Sequence, residues 1–263
     1  MTRSSRLALP ATLSILAVAA VALFVLPFVG LLARAPWSRV GSALSSPEAL
    51  QALRLSLGAS FAALGLSTVL GVPLAWAFVR VEFWGKALIR ALCVLPMVLP
   101  PVVGGVALLF AFGRRGVVGA PLERLLGVTL PFSSAAVVLA EAFVAMPFLV
   151  ITVEAGLRAM DRRFEDVAAT LGASRWMTFR QVTLPLVGPS LGAGMALCWT
   201  RALGEFGATI TFAGNFPGRT QTMPLAVYLQ LERDPSVAIL LSLLLTVVSV
   251  AVLLALRGRF LAS

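Results

Sequence analysis

Residues 154–185 read EAGLRAMDRRFEDVAATLGASRWMTFRQVTLP and form a charged segment between two long apolar stretches. Apolar residues recur in this charged segment at steps of three and four, which is the spacing of one face of an α-helix. These residues are Leu157, Met160, Phe164, Val167 and Leu171. Charged residues take the other faces, and Arg162 and Asp166 are four apart, so they can form an ion pair on a helix. The charged segment is therefore predicted to be helical and to lie outside the apolar stretches.

The second half of the charged segment carries signals for a turn and a new helix. Gly172 follows the last apolar position, where a helix often ends in a left-handed residue. Ser174 is suited to cap a second short helix. Leu184-Pro185 then opens the next apolar stretch, since proline is well tolerated in the first turn of a helix. The pattern predicts two short helices hinged at Gly172.

The composition indicates a membrane protein rather than a soluble one. Of the 263 residues, 59% are hydrophobic and 12% charged, and the mean hydropathy is +0.98. A soluble domain carries about 25% charged residues. The net charge of +10 is attributed to arginines beside anionic lipid headgroups, and no nucleic-acid partner is expected. There are no histidines, which excludes histidine-based triads and metal sites, and neither a catalytic residue nor a metal site is predicted.

Six apolar stretches are long enough to cross a bilayer, which takes about 20 residues. The predicted helices are 10–33, 55–79, 91–113, 133–153, 186–208 and 236–256, within a single polytopic domain, 1–263. Six spans place both termini on one side. More arginines then fall on that side, with Arg3 and Arg6 among them, so both termini are expected to be cytoplasmic. The first stretch is too long for a typical signal peptide and is interpreted as a retained helix.

Prolines cluster in the third stretch, at Pro96, Pro100 and Pro101. Proline removes a backbone donor and kinks a helix, and in a membrane the freed carbonyls must face protein or a water-filled cavity. The cluster indicates a kinked, pore-lining helix. The alternative is the general enrichment of proline in membrane helices.

Three ionisable residues fall inside the apolar stretches: Glu141, Arg201 and Glu205. Such residues are rare in membranes and usually face the interior of the helix bundle. Arg201 and Glu205 are four apart and share a helix face, so they are candidates for a translocation path or for a structural pair. Glu141 is expected to be protonated or paired, with Arg201 as a possible partner.

The charged segment resembles the cytoplasmic coupling loop of ABC importer permeases. In that family Glu-Ala-Ala is followed after three residues by Gly, and after nine more by Ile, one residue and Leu-Pro. Here the matching residues are Asp166, Val167, Ala168, Gly172, Val182, Leu184 and Pro185. The spacing is kept throughout, and the departures are Asp166 for Glu, Val167 for Ala and Val182 for Ile.

This resemblance covers about residues 50–256 and implies an all-α membrane protein with the type I importer permease fold. It implies a homodimer with its pore on the two-fold axis, two ATPase subunits docked on the coupling loops, and an extracytoplasmic binding protein. ATP and magnesium would belong to the ATPase, and this chain would bind no cofactor. The chain lacks a P-loop, because Arg80 and Ala87 stand where that motif needs glycine and serine or threonine around Gly85-Lys86.

Residues 201–208, 209–215 and 217–222 resemble the branch of these permeases that carries tetrahedral oxyanions. Residues 95–101, 112–116 and 220–228 resemble its molybdate members most. The resemblance therefore implies import of molybdate, with sulfate and tungstate as alternatives. An ATP-independent secondary carrier and a membrane scaffold are lower-ranked alternatives. DNA binding by the two short helices is implausible, because both of their ends are tethered to membrane helices.

Overall fold

The computed structural model describes residues 11–260, and within that range all regular secondary structure is helical, as predicted. The first half comprises α1 (Ala11–Ala33), a 3₁₀ turn (Trp37–Arg39), α2 (Val40–Leu44), α3 (Pro47–Arg80), α4 (Lys86–Val98), α5 (Pro101–Phe112) and α6 (Gly119–Leu126). The second half comprises α7 (Ser134–Ala159), α8 (Arg163–Thr170), α9 (Arg175–Thr178), a π-helical turn (Phe179–Thr183), α10 (Leu184–Leu186), α11 (Gly188–Leu203), α12 (Gly207–Phe212), α13 (Met223–Arg233) and α14 (Pro235–Phe260). Pro10, Arg3 and Arg6, used above for the first helix and the orientation, lie outside the described residues.

Four of the described helices are long and apolar enough to cross a membrane by themselves, namely α1, α3, α7 and α14. A fifth span is formed if the bent pair Arg175–Leu186 and Gly188–Leu203, which meet at 73°, is counted as one. The predicted third stretch, 91–113, is two shorter helices instead. The count of six spans therefore remains a prediction.

Helix α3 begins eight residues earlier than the apolar stretch suggests, at Pro47 instead of Leu55. The Ser46 hydroxyl accepts a hydrogen bond from the Ala49 amide at 3.2 Å, and Pro47 occupies the first turn. This is a well-formed N-cap, which satisfies a free amide at the helix start. Capping thus extends the helix beyond its apolar part, and α3 continues without a break through Pro73.

The proline cluster breaks the third stretch completely. Pro96 stays inside α4, whereas Leu99 and Pro100 are extended and Pro101 starts α5. Two consecutive prolines remove two helical donors, and a residue before proline avoids the helical region. The expected kink is therefore a break between two helices. A similar break at Gly204–Phe206 ends α11 and precedes the short α12, so the predicted helix 186–208 is not continuous.

Helix α7 is the centre of the packing. It lies against α3 and α11 along one half and against α5 and α12 along the other. The face that α3 buries consists mostly of small residues, with Val72 and Phe78 as the larger ones. The small residues are Ala49, Ala52, Ser56, Ala59, Ser60, Ala63, Ser67, Gly71 and Ala75. Membrane helices associate through such residues because they let the backbones approach closely. The core is therefore a three-helix contact around α7, whereas α1 has no buried positions in its apolar window.

The two short helices α5 and α12 also pack through glycines. A Cβ atom on Gly105 of α5 would lie 2.7 Å from the Thr211 Cβ and 2.8 Å from the Ala208 carbonyl oxygen. No side chain fits between the two helices at that position. By contrast, Gly58 in the middle of α3 is exposed and has nothing within 4 Å of its Cβ position.

We expect Gly105→Ala to destabilise the purified protein by about 1–3 kcal/mol, because overpacking forces the backbones of α5 and α12 apart. Gly58→Ala is the matched control and should be neutral or slightly stabilising, since alanine favours the helix over glycine. Thermal unfolding in detergent measures both. Equal melting temperatures for the two variants would contradict the close contact between α5 and α12.

Candidate functional site

The charged segment forms two helices beyond the end of α7, and not one continuous amphipathic helix. Helix α7 ends at Ala159, and the chain turns before α8 begins at Arg163. Leu157 consequently belongs to the core around α7, while Phe164 lies on the separate helix α8. The predicted apolar face is therefore divided between α7 and α8. The spacing of three and four residues continues through the turn between them, so the spacing alone does not show that the helix is interrupted.

The outer face of α8 is apolar and uncovered. The side chains of Phe164, Val167 and Leu171 are 55%, 57% and 82% exposed. Beside them lies an open groove of about 300 Å³. Its lining includes Ala168, Leu171, Gly172, Met177, Gln181 and Val182. The fold thus brings together Ala168, Gly172 and Val182, which the sequence motif singles out, while Val167 lies on the exposed face of α8. Groove and face together leave a surface that a partner could cover.

The turn between the two short helices depends on Gly172. Its φ of +83° is left-handed. The Gly172 amide donates to the Ala169 carbonyl at 3.0 Å, and the Ala173 amide donates to the Ala168 carbonyl at 3.0 Å. This pair of bonds is a Schellman ending, which favours glycine. The Ser174 hydroxyl then accepts from the Met177 amide at 3.2 Å and caps α9. Leu184 and Pro185 lie in α10, which leads into α11.

The ion pair expected between Arg162 and Asp166 is not formed among residues 11–260, and that expectation is wrong. Arg162 turns back and donates from Nη2 to the Val79 carbonyl at 3.2 Å. The partner of α8 in an ion pair is Arg80, the last residue of α3, whose Nε lies 2.9 Å from Oε2 of Glu165. These contacts form because α8 lies beside the end of α3 in the fold. Residue spacing along the chain does not predict that arrangement.

A second charged cluster joins α4 to α7 at the same end of the bundle. Glu154 is buried and accepts hydrogen bonds from two arginines. Arg90 of α4 donates from Nε to Oε2 at 3.2 Å, and Arg158 donates from Nη2 to Oε1 at 2.8 Å. The Arg90 guanidinium also lies 6.0 Å from the centroid of the Phe78 ring in α3. The Glu154 carboxylate thereby joins α4 to α7, and the Arg90 side chain extends the cluster to α3.

The intramembrane charges are arranged differently from the suggested pairing of Glu141 with Arg201. Arg201 pairs with Glu205, with 2.6 Å between Nη1 and Oε2. The other oxygen of Glu205 accepts from the Ala208 amide at 2.9 Å and so caps α12. Glu141 is 1% exposed, and within residues 11–260 its Oε2 atom has no hydrogen-bond partner. Glu205 is the nearer partner for Arg201 because both flank the break between α11 and α12.

The breaks in the two interrupted helices meet in space. A Cβ atom on Gly207, at the start of α12, would lie 2.6 Å from the Cβ of Pro101, at the start of α5. The starts of two helices, whose backbone dipoles favour negative charge, therefore meet here, although Pro100 and Pro101 carry no N–H group and Glu205 already accepts from the Ala208 amide. The Arg201–Glu205 pair stands directly before one of these starts. The fold therefore brings Pro100, Pro101, Arg201 and Glu205 to one region of broken helix, while Glu141 lies on α7 behind them.

Comparison with known proteins agrees with this architecture. Residues 67–261 match the family described as "Binding-protein-dependent transport system inner membrane component". The chain belongs to that family. The predicted type of protein, a multi-pass membrane permease, is confirmed.

Several curated relatives are transport permeases. The chain is 44% identical over 251 residues to the molybdenum transport system permease protein ModB of Mycobacterium bovis, with 95% of each chain covered. It is 46% identical over 185 residues to ModB of Escherichia coli K12, which covers 70% of this chain and 80% of the relative. It is 35% identical over 201 residues to the sulfate transport system permease protein CysT of the same strain, covering 76% and 72%.

Solved structures share the fold at low sequence identity. A bacterial ABC transporter that imports alginate matches with a TM-score of 0.72 and 16% identity over 94% of each chain. The MetNI methionine transporter in an inward-facing conformation matches with a TM-score of 0.62 and 18% identity, over 81% of this chain and 94% of that one. The predicted ABC importer permease fold is therefore confirmed.

We expect Glu205→Gln to lower the melting temperature, whereas Glu141→Gln should not. Glutamine at 205 keeps an acceptor for the Ala208 amide but leaves Arg201 without a counter-charge. Breaking a buried pair costs about 3–5 kcal/mol, and the partial exposure of Arg201 reduces this to about 1–3 kcal/mol. At 141 no ion pair is lost. Thermal unfolding of both variants tests the assignment, and a larger loss in Glu141→Gln would contradict it.

Proposed function

We propose that this chain is the permease subunit of an ATP-driven importer that moves molybdate into the cytoplasm. The observation that carries this proposal is 44% identity to a molybdenum permease over 95% of both chains. Identity to the sulfate permeases is lower, at 35% over a shorter region. The segments at 95–101, 112–116 and 220–228, which indicated molybdate from the sequence, support the same choice.

The proposed partners follow from the surface of the charged segment. The exposed face of Phe164, Val167 and Leu171 is suited to lie in a groove of an ATPase subunit, in the way that an amphipathic helix binds a groove. ATP and magnesium would be held by that subunit. The family is dependent on a binding protein, and one structural neighbour was solved in complex with a substrate-bound periplasmic protein. We propose a homodimer of this chain, two ATPase subunits and an extracytoplasmic molybdate-binding protein.

The orientation in this proposal places the charged segment and both termini in the cytoplasm. The Arg80–Glu165 and Arg90–Glu154 pairs then lie at the cytoplasmic ends of α3, α4 and α7. This agrees with the excess of arginine expected on that side of a membrane. The opposite end of the bundle, with α2 and α13, faces the binding protein.

The broken helices are the proposed place of anion passage. The dipoles at the starts of α5 and α12 and the Arg201 guanidinium offer weak attraction for an oxyanion, while Glu205 limits its strength. A conducting path needs binding that is favourable enough to enter and weak enough to leave. The tight selection of molybdate would therefore be made by the binding protein, and the chain itself would open and close the path.

Sulfate is the second candidate substrate, because the sulfate permeases are relatives over about three quarters of the chain. Molybdate, tungstate and sulfate are all tetrahedral dianions, so the path described above would accept each of them. The choice among them is decided by uptake and not by the geometry of the path.

We expect proteoliposomes that hold this chain, its ATPase and its binding protein to take up molybdate when ATP is supplied. Molybdate, tungstate and sulfate are compared at equal concentrations, with ATP omitted as the control. Molybdate uptake above sulfate uptake supports the proposal. A preference for sulfate would support an ATP-driven importer whose substrate is sulfate instead of molybdate. Uptake without ATP would overturn the ABC mechanism.

Substitution of Gly172 should separate ATP hydrolysis from transport. A valine at φ +83° is strained by at least about 1–2 kcal/mol, so the end of α8 unwinds and the groove around Leu171 is lost. We expect Gly172→Val to insert into the membrane, to retain ATPase activity in the assembled transporter and to lose most ATP-driven uptake.

The matched control for this variant is Gly127→Val. Gly127 ends α6 with a φ of +65° and also has nothing near its Cβ position. The backbone strain is therefore similar, but the site is far along the chain from the charged segment. Normal coupled uptake in Gly172→Val would refute the role of this segment.

A further inference from the structure

The Glu165 carboxylate of α8 contacts both α3 and the approach to α11. Oε2 of Glu165 lies 2.9 Å from Nε of Arg80, at the end of α3. Oε1 of the same side chain accepts a hydrogen bond from the Thr183 hydroxyl at 2.7 Å. Thr183 ends the π-helical turn that leads through α10 into α11. Both oxygens of Glu165 are therefore engaged, one by α3 and one by the approach to α11.

These side chains are shielded from water. The Arg80 side chain is 9% exposed, the Glu165 side chain is 18% exposed, and Thr183 is fully buried. Ion pairs in solvent contribute little, whereas removing one partner of a shielded pair leaves an uncompensated charge. The Arg162 guanidinium adds a second contact, because it donates to the Val79 carbonyl next to Arg80. The start of α8 is thus held against the end of α3 by two arginines.

The contact between Glu165 and Arg80 lies on the side of α8 away from the proposed docking face. Glu165 lies on α8 between Phe164 and Val167, whose side chains are exposed on the outer face. Glu165 itself points to the opposite side, toward α3. A force applied to the outer face would therefore reach α3 through Glu165 and Arg80. Helix α3 in turn packs along α7 and against α11, which form the core of the bundle.

We propose that Arg80 and Glu165 are positioning residues that transmit movement of α8 to α3 and the approach to α11. This inference rests on the proposed function, in which an ATPase moves α8. Apart from this contact, α8 is joined to α3 by the Arg162–Val79 hydrogen bond and to α7 and α9 by the chain, so loss of the Arg80–Glu165 pair would weaken the link through which α8 moves α3. The two residues are 85 positions apart, and their role arises only from the fold.

The test measures oxyanion uptake and ATP hydrolysis in the same proteoliposomes. Arg80→Gln removes the ion pair with Glu165, and Thr183→Val removes the hydrogen bond to Glu165 while keeping nearly the same side-chain shape. We expect both variants to hydrolyse ATP while the ratio of anion transported to ATP hydrolysed falls about fivefold or more, which is the low end of typical coupling between sites. The reversed pair Arg80→Glu with Glu165→Arg should recover a substantial part of the ratio.

The matched control is Lys86→Gln, which removes a basic residue from the neighbouring turn. Lys86 pairs with Glu82 at 2.9 Å, but Glu82 is exposed and belongs to the same turn. The hydrogen bond from Lys86 lowers the pKa of the Glu82 carboxyl. Because it does not join α8 to another helix, its loss should leave the ratio unchanged.

Each outcome separates this inference from the proposed function. A lowered melting temperature with uptake and hydrolysis reduced in parallel, and no recovery in the reversed pair, would mean that the contact is only structural. An unchanged ratio in both single variants would also overturn the inference, while wild-type uptake would still stand. Failure of the wild-type chain to import any oxyanion with ATP would overturn the proposed function and this inference with it.

Discussion

Close contact between small side chains around α7 is the interaction on which the rest of the structure depends. In lipid, burying apolar surface between helices gains little free energy, because the lipid tails are equally apolar. Helices therefore associate through van der Waals contact and not through a hydrophobic driving force. Ala63 and Ala75 of α3 are completely buried, and the Cβ position of Gly71 lies 3.1 Å from a methyl group of Val150. The Cβ position of Gly194 in α11 lies equally close to Leu149. These contacts hold α3, α7 and α11 in one unit.

Around that unit the broken helices introduce polar backbone into the membrane region. Breaks are tolerated at membrane depth where protein or a water-filled cavity covers them. Here the starts of α5 and α12 touch, Glu205 accepts from a free amide of α12, and Arg201 balances its charge. Pairing of these polar groups offsets part of the cost of placing them in lipid.

At the other end of the bundle, charged side chains join helices that are distant in sequence. Glu154 and Glu165 each bind arginines from helices distant in sequence, and together they connect α3, α4, α7 and α8. The outer face of α8 remains apolar and exposed. The inner side of α8 is thus bound to α3 and its outer side is uncovered, as the proposed docking of an ATPase requires. The family membership of the chain and this arrangement agree.

The amino-acid sequence by itself determined the class of protein, most of the spanning segments and the glycine hinge. These follow from short-range physics: apolar length sets membrane spans, and the positive φ of Gly172 and the Ser174 cap depend only on neighbouring residues. The break at Leu99–Pro100 is local as well, since two consecutive prolines cause it. Tertiary structure decided the break at Gly204–Phe206, the division of the charged segment at Ala159, and the partners of most charges. Arg162 bonds to Val79 instead of Asp166, and Glu165 bonds to Arg80, whereas the Arg201–Glu205 pair is one that four-residue spacing already suggested. No local pattern predicts the first two partners, because a charged side chain binds whichever group the packing of distant helices brings within reach.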